Sequence, residues 1–220
     1  MTRFLALQRM CLLLVLCCGA CSLLAEQSSP RGVLADGRRV VADAAVDTPP
    51  ACLPARTGEV VLNEILARPG GVDLDGDGLA NHRDEAVELV YRGDEPGHLQ
   101  GAHLWVAGQD RGAITDGHCL LPGQRAVITG STAGLLALAP TVVQVRAGKP
   151  LDLRDTGAEL ELRGVLDTPL GKTTYGPAVA GHSEVRAPDG DGEAALVAHP
   201  VVAGVGHSIG APSSPPGQRR

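Results

Sequence analysis

The chain has 220 residues, a formal net charge of −6 and 44% hydrophobic residues, but only 2% aromatic ones. That acidity argues against non-specific nucleic-acid binding, which needs basic surface. So few aromatics also exclude a base-stacking platform for single strands, and leave Val, Leu, Ile and Ala to build the core.

The first element in chain order is a secretory signal peptide over residues 1–20. Arg3 and Arg9 form a positive n-region, Met10 to Cys18 is an unbroken apolar run, and Gly19 and Ala20 are small. The apolar run is short for a bilayer span, which needs ~20 residues. Cys18-Gly19-Ala20-Cys21 resembles the lipobox of bacterial lipoproteins, with Cys18 standing where leucine is usual. The resemblance implies cleavage before Cys21 and acyl chains, such as palmitate, on Cys21. Ser22 in place of Asp favours the outer membrane over retention at the inner one. Cleavage after Ala20 or Ala25 without lipid is the alternative and would give a secreted or periplasmic protein.

Removing residues 1–20 takes two arginines and no acid, leaving 17 basic against 25 acidic residues and a formal charge of −8. Cys11, Cys17 and Cys18 leave with the signal peptide, and Cys21 takes lipid. Cys52 and Cys119 remain, either as one disulfide in an oxidising compartment or as two unrelated thiols.

Residues 21–57, with Pro30, Pro49, Pro50 and Pro54, lack periodicity and read as a lipid-anchored linker. Residues 58–188 read as one domain, and 189–220 as an extended, flexible tail rich in Gly, Pro and Ser. Within the domain, seven short apolar segments alternate with turn residues. They are Glu59–Ala67, Ala86–Tyr91, His103–Ala107, Arg125–Thr129, Thr141–Val145, Glu159–Arg163 and Lys172–Tyr175. This pattern predicts an all-β, antiparallel sandwich of about seven strands. Only Leu135–Ala139 suggests a helical turn.

Several stretches, in order, resemble the lamin-tail domain family. Val60 to Ala67, with its Asn63-Glu64-Ile65, resembles the family's opening strand, and Glu85 to Val90 its second. Gly93 to Pro96, Leu99 to Gly101, Leu121 to Gln124, Gly157 to Arg163 and Thr174 to Gly176 follow in the family's order. His182 to Arg186 with Pro188 to Gly190 resembles the closing segment. Ala102 stands where family members often carry Trp, and Trp105 follows three residues later. The resemblance implies an immunoglobulin-like sandwich with a binding or scaffolding role. In bacteria such domains serve as envelope modules, some fused to nucleases or phosphatases; the length here leaves no room for a fused catalytic domain.

Asp73 to Asp84 carries the sharpest chemistry. Asp73, Asp75 and Asp77 occupy positions 1, 3 and 5 of a calcium-loop pattern, Gly78 follows at 6, and Asp84 falls at 12. Calcium takes six to eight hard oxygens. The Leu79 carbonyl would supply position 7 and Asn81 position 9. Glu, usual at 12, falls one place later at Glu85. The competing reading is a solvated acidic turn. Asp189-Gly190-Asp191-Gly192 is a second acidic turn and reads as a loop.

Other motifs carry no reaction. His82-Arg83-Asp84 mimics a kinase tripeptide without its Asn or Gly-rich loop, and Gly204-Val205-Gly206 does not continue as a dinucleotide fingerprint. Ser183 lacks a nucleophile elbow, and His98, His103 and His118 lack metal spacing. Asn63, Glu64 and Glu88 are polar exceptions inside apolar strands and need partners if buried. Glu64 and Glu88 are the one candidate carboxylate pair for an enzyme.

The sequence thus predicts a non-catalytic envelope lipoprotein with a calcium-stabilised loop, and a protein or glycan partner besides the membrane. The alternatives are a metal-dependent phosphoester hydrolase or nuclease-associated protein, and a secreted structural domain without metal.

Overall fold

The computed structural model describes residues 51–200 and 204–213. The expected signal peptide, Cys21 and linker residues 21–50 lie outside them. Among the described residues there are thirteen strands: β1 (Leu53–Pro54), β2 (Val60–Leu66), β3 (Ala86–Tyr91), β4 (Gly97–His98), β5 (His103–Val106), β6 (Gln109–Ala113) and β7 (Cys119–Leu120) come first. They are followed by β8 (Arg125–Thr129), β9 (Val142–Arg146), β10 (Ala158–Arg163), β11 (Pro169–Tyr175), β12 (Glu184–Arg186) and β13 (Leu196–Ala198). The protein is an all-β sandwich. A six-stranded sheet, β13-β12-β2-β3-β8-β9, faces a four-stranded sheet, β11-β10-β5-β6, and β1-β4-β7 forms a small third sheet. Pairing is antiparallel except for β8 with β9 and β1 with β4.

Alternation fixes which faces meet. On β10, Leu160 and Leu162 are fully buried, while Glu159 is exposed and Glu161 and Arg163 are partly so. A period of two places every second side chain on one face, so the four-stranded sheet has one buried and one wet face. Leu104, Val106, Leu160, Leu162 and Leu170 pack from that sheet against Leu62, Ile65, Val87, Leu89, Ala126 and Ile128 from the other. Fully burying each such side chain contributes roughly 1.5–3 kcal/mol before entropy is counted.

The centre of the six-stranded sheet is buried on both faces; every residue of β3 is buried. Its outer face carries a second apolar cluster, Leu66, Ala86, Val127 and Ile209, flanked by Val72, Leu74, Leu136 and Leu138. Two expectations change here. Leu135–Ala139 forms no helical turn. It runs without regular structure across this face, with the Leu136 amide donating to Gln144 at 2.9 Å and Leu136 and Leu138 on the cluster. The expected flexible tail is also tied down over its described part. Val185 and Arg186 pair with Val197 and Leu196 of β13, and Ile209 is buried.

A break in β2 sets the faces of its polar residues. Leu62 pairs with Leu89 and Glu64 with Glu88, so Asn63 is the extra residue of a β-bulge. Regular alternation would put Leu62 and Glu64 on one face. The bulge lets Leu62 face the core while Glu64 turns outward. Cys52 and Cys119 form a disulfide with Cα atoms 5.8 Å apart, closing a separation of 67 residues. It pins the entering chain beside β7.

Candidate functional site

The acidic loop connects β2 to β3. Asp73, Asp75 and Asp84 each offer a carboxylate oxygen, and these three oxygens lie within 4.8 Å of one another. They are the only such cluster of three or more ligand-type side chains among the described residues. Gly76 and Gly78 have φ of +70° and +88°, the left-handed backbone that lets the loop curl around its acids.

The remaining expected ligands serve the turn itself. Asp77 lies outside the trio. It accepts the Leu79 amide at 2.8 Å and faces Arg83 at 3.9 Å. The Leu79 carbonyl accepts from the Asn81 side-chain amide at 2.9 Å, and Asn81 caps the 3₁₀ turn His82–Asp84 by accepting the Arg83 amide. Of the six expected ligands, Asp73, Asp75 and Asp84 therefore stand together, while Asp77, the Leu79 carbonyl and Asn81 make hydrogen bonds within the turn. Glu85 turns away and accepts the Leu153 amide at 3.0 Å; burial pushes its carboxyl up to about 7.

Each acid of the trio also holds backbone. Asp84 is fully buried and accepts the amides of Leu74 at 2.8 Å, Asp75 at 3.3 Å and Asn81 at 2.9 Å. Asp73 accepts the Gly78 amide at 2.8 Å, and Asp75 accepts the Gly134 amide at 2.7 Å. Asp84 is a structural pin, while Asp73 and Asp75 sit at the more open side of the trio. The donor set is all hard oxygen, which suits calcium or magnesium over soft metals.

The second polar site lies under the C-terminal segment. Glu64 and Glu88 are both fully buried and face each other in register across β2 and β3. Each carboxylate has its own donors. Glu88 accepts Asn63 Nδ2 at 2.8 Å, the Arg125 guanidinium, and the Gly210 amide at 2.7 Å. Glu64 accepts Ser183 Oγ at 2.5 Å, and from Ser208 both the amide at 2.7 Å and Oγ at 2.6 Å. Arg125 also donates to Asp189 at 2.5 Å, and the Gly190 amide donates to Asn63 at 2.6 Å. Burial raises the Glu88 carboxyl to about 7 against the pull of Arg125, with the Glu64 charge adding to the rise. Burial works against the charge of the Arg125 guanidinium, yet Glu88 and Asp189 hold it above its ordinary value.

Asn63, Glu64 and Glu88 stand out in the sequence as polar exceptions, and Asp189 as part of a plain acidic turn. Arg125, Ser183, Ser208 and Gly210 do not announce their part in this network. Their partners lie 37 to 144 residues away, and no local pattern encodes such pairings. His103 bonds Asp110 at 3.0 Å on the outer face of the four-stranded sheet.

No protein-family model matches the chain, and no curated protein matches its sequence. Fold and site define a class: an all-β sandwich with a Cys52–Cys119 disulfide, an acidic loop between its first two long strands, and a described C-terminal segment sealed over a buried carboxylate pair.

Proposed function

We propose that the chain is a non-catalytic cell-envelope lipoprotein. Its lamin-tail-like, immunoglobulin-like sandwich serves as a binding or structural module, held at the outer membrane by acyl chains on Cys21. Calcium braces the loop between β2 and β3. Asp73, Asp75 and Asp84 would hold the ion, and the metal would supply rigidity and relief of carboxylate repulsion. The observation that carries the metal part is the approach of those three carboxylate oxygens to within 4.8 Å. The anchor rests on the Arg3-to-Cys21 sequence pattern, and the partner is a protein or a glycan.

The hydrolase reading is the weaker one. Its best acids, Glu64 and Glu88, are sealed from solvent and each takes three donors. Carboxylates poised to bind a catalytic metal or activate water need open coordination. Growth with labelled palmitate tests the anchor: incorporation that disappears in Cys21→Ala supports it, and absence of label from the wild-type protein overturns it.

A further inference from the structure

The two ends of the sandwich differ. β2 runs from the entering chain at Val60 to the acidic loop beyond Leu66, and β3 returns from that loop. At the loop end, Arg68 pairs with Asp155 at 3.6 Å and the Gly181 amide donates to the Arg68 carbonyl. At the other end the disulfide pins Cys52, β1 pairs with β4, and the Gly123 amide donates to the Tyr91 carbonyl.

This entry end also carries the tip of the β10–β11 hairpin. Leu53, Pro54, Ala55 and Thr57 form one wall of a groove of about 520 Å³, and Val165 and Thr168 form the other. Leu53 is 45% exposed, Val165 52%, and Leu166, at the tip, 94%. Leu121, in the turn that bonds Tyr91, is 56% exposed. The tip backbone is unusual: Leu166 and Asp167 both lie in the left-handed region, at φ of +62° and +63°. Side-chain-bearing residues seldom adopt that conformation, and it persists where the surroundings make use of it. The β10–β11 hairpin turn makes use of it here: two successive left-handed residues close the turn, with the Asp167 amide donating to the Gly164 carbonyl and the Gly164 amide to the Thr168 carbonyl, and they leave Leu166 almost wholly in solvent. Charge stands with the apolar residues: Asp167 is exposed in the tip beside Leu166, and Arg163 lies behind it. Arg163 reaches Glu161 at 2.7 Å and Asp167 at 3.2 Å, and its guanidinium lies 4.6 Å from the Trp105 ring centre.

We infer that this end is a lipid-facing surface, with Leu166, Val165 and Leu53 seated in the headgroup–acyl boundary of the membrane. The inference rests on the lipid-anchor reading and adds a direct membrane contact made by the domain itself, beside its protein or glycan partner. Apolar residues with paired charges beside and behind them are the composition of an interfacial contact. The position of the entering chain selects lipid over a protein partner. Residues 1–50 lie outside the structure, Cys21 is 31 residues before Cys52, and Cys52 is fixed at this end. An anchor on Cys21 would then hold this end, on average, nearer the bilayer than the acidic loop.

The test supplies the tether artificially, so that it does not depend on lipidation. The chain from residue 21 onward carries Cys21→Ser, Trp105→Phe and an N-terminal polyhistidine. It is held on phosphatidylcholine vesicles with nickel-chelating lipid and brominated acyl chains. One sample carries Leu166→Trp, the other Leu79→Trp at the loop end, where the leucine is 64% exposed. Interfacial apolar groups sit about 5–10 Å into the boundary, within reach of bromine, so the indole at 166 is expected to be quenched by about twofold and that at 79 to be unaffected. Quenching at neither position, or equally at both, overturns the inference. So does protection of position 166 by concentration-dependent self-association without vesicles, which would make the patch a contact between copies. Palmitate labelling reports on the anchor separately: label at Cys21 without quenching at 166 retains the anchor and removes this surface.

Discussion

Glu64 and Glu88 lie directly opposite each other on neighbouring strands, both without solvent exposure, and neither shares a hydrogen-bond donor with the other. The cation Arg125 serves Glu88 and Asp189, whereas the donors to Glu64 among the described residues are the hydroxyl and amide groups of Ser183 and Ser208. The pair therefore closes the C-terminal segment onto the sheet: the described polar contacts of Ser208 and Gly210 with β2 and β3 are donations into these two carboxylates.

Removing Glu88 leaves the Arg125 charge buried with Asp189 alone. Glu88→Ala is expected to destabilise the fold by roughly 3–5 kcal/mol, as measured by chemical denaturation, because a buried partner charge is left uncompensated. A loss under about 1 kcal/mol would mean that the site opens to water.

The segment itself can be released more gently. Ser208→Ala removes one of the two Ser208 donors to Glu64 and should cost about 1–3 kcal/mol. Gly210 has φ of +81°, and a Cβ there would meet Leu138 Cδ2 at 2.7 Å. Gly210→Ala is therefore expected to lift the segment as well. Hydrogen exchange should show the Ser208 and Gly210 amides losing protection in both variants while the β3 amides keep theirs.

Burial pushes both Glu85 and Glu88 up to about 7 from an ordinary 4.5. The folded protein thus binds protons more tightly than the unfolded chain between those values. Stability from these groups rises as pH falls from 8 towards 5, and is lost as pH rises through about 7. His207 opposes this, since burial depresses it from 6.5 and its protonation favours unfolding at lower pH. The difference in melting temperature between wild type and Glu88→Gln isolates the Glu88 part. It should change in favour of the wild type as pH falls from 8 to 5, and a constant difference would contradict the assignment.

The disulfide closes 67 residues of sequence separation. In the chain-entropy model such a loop stabilises by roughly 4 kcal/mol. Cys52→Ser with Cys119→Ser should lower stability by about that much, with exchange protection falling first in β1, β4 and β7.

The long strands were legible in the sequence because their apolar residues alternate or run together between turns. All seven expected segments coincide with strands, shifted by at most three residues. The six additional strands were not, because their pairing comes from neighbours. Gln109-Asp110-Arg111-Gly112-Ala113 has no apolar alternation, and β1, β4 and β7 are two residues each. The bulge at Asn63 was hidden for a similar reason: it depends on register with Leu89, which a single strand does not encode. The acidic spacing at Asp73 to Asp84 was plain, but not which oxygens would converge. Asn81 and Asp77 had local turn partners that the spacing pattern does not reveal.

The loop's relation to calcium is tested most directly by thermal unfolding of the mature chain in calcium and then in chelator, beside Asp73→Asn with Asp75→Asn. Those two acids are the suitable pair, because Asp84 holds three backbone amides and its loss would disturb the fold by itself. Extracellular-type sites bind with Kd of about 10⁻⁴–10⁻³ M, and calcium at ~100 Kd stabilises by about 2.7 kcal/mol. The account predicts a rise in melting temperature with calcium that chelator reverses and the double variant lacks. Identical melting of the wild-type protein in calcium and in chelator would contradict it, and would leave Asp73 to Asp84 as a turn held by its own hydrogen bonds.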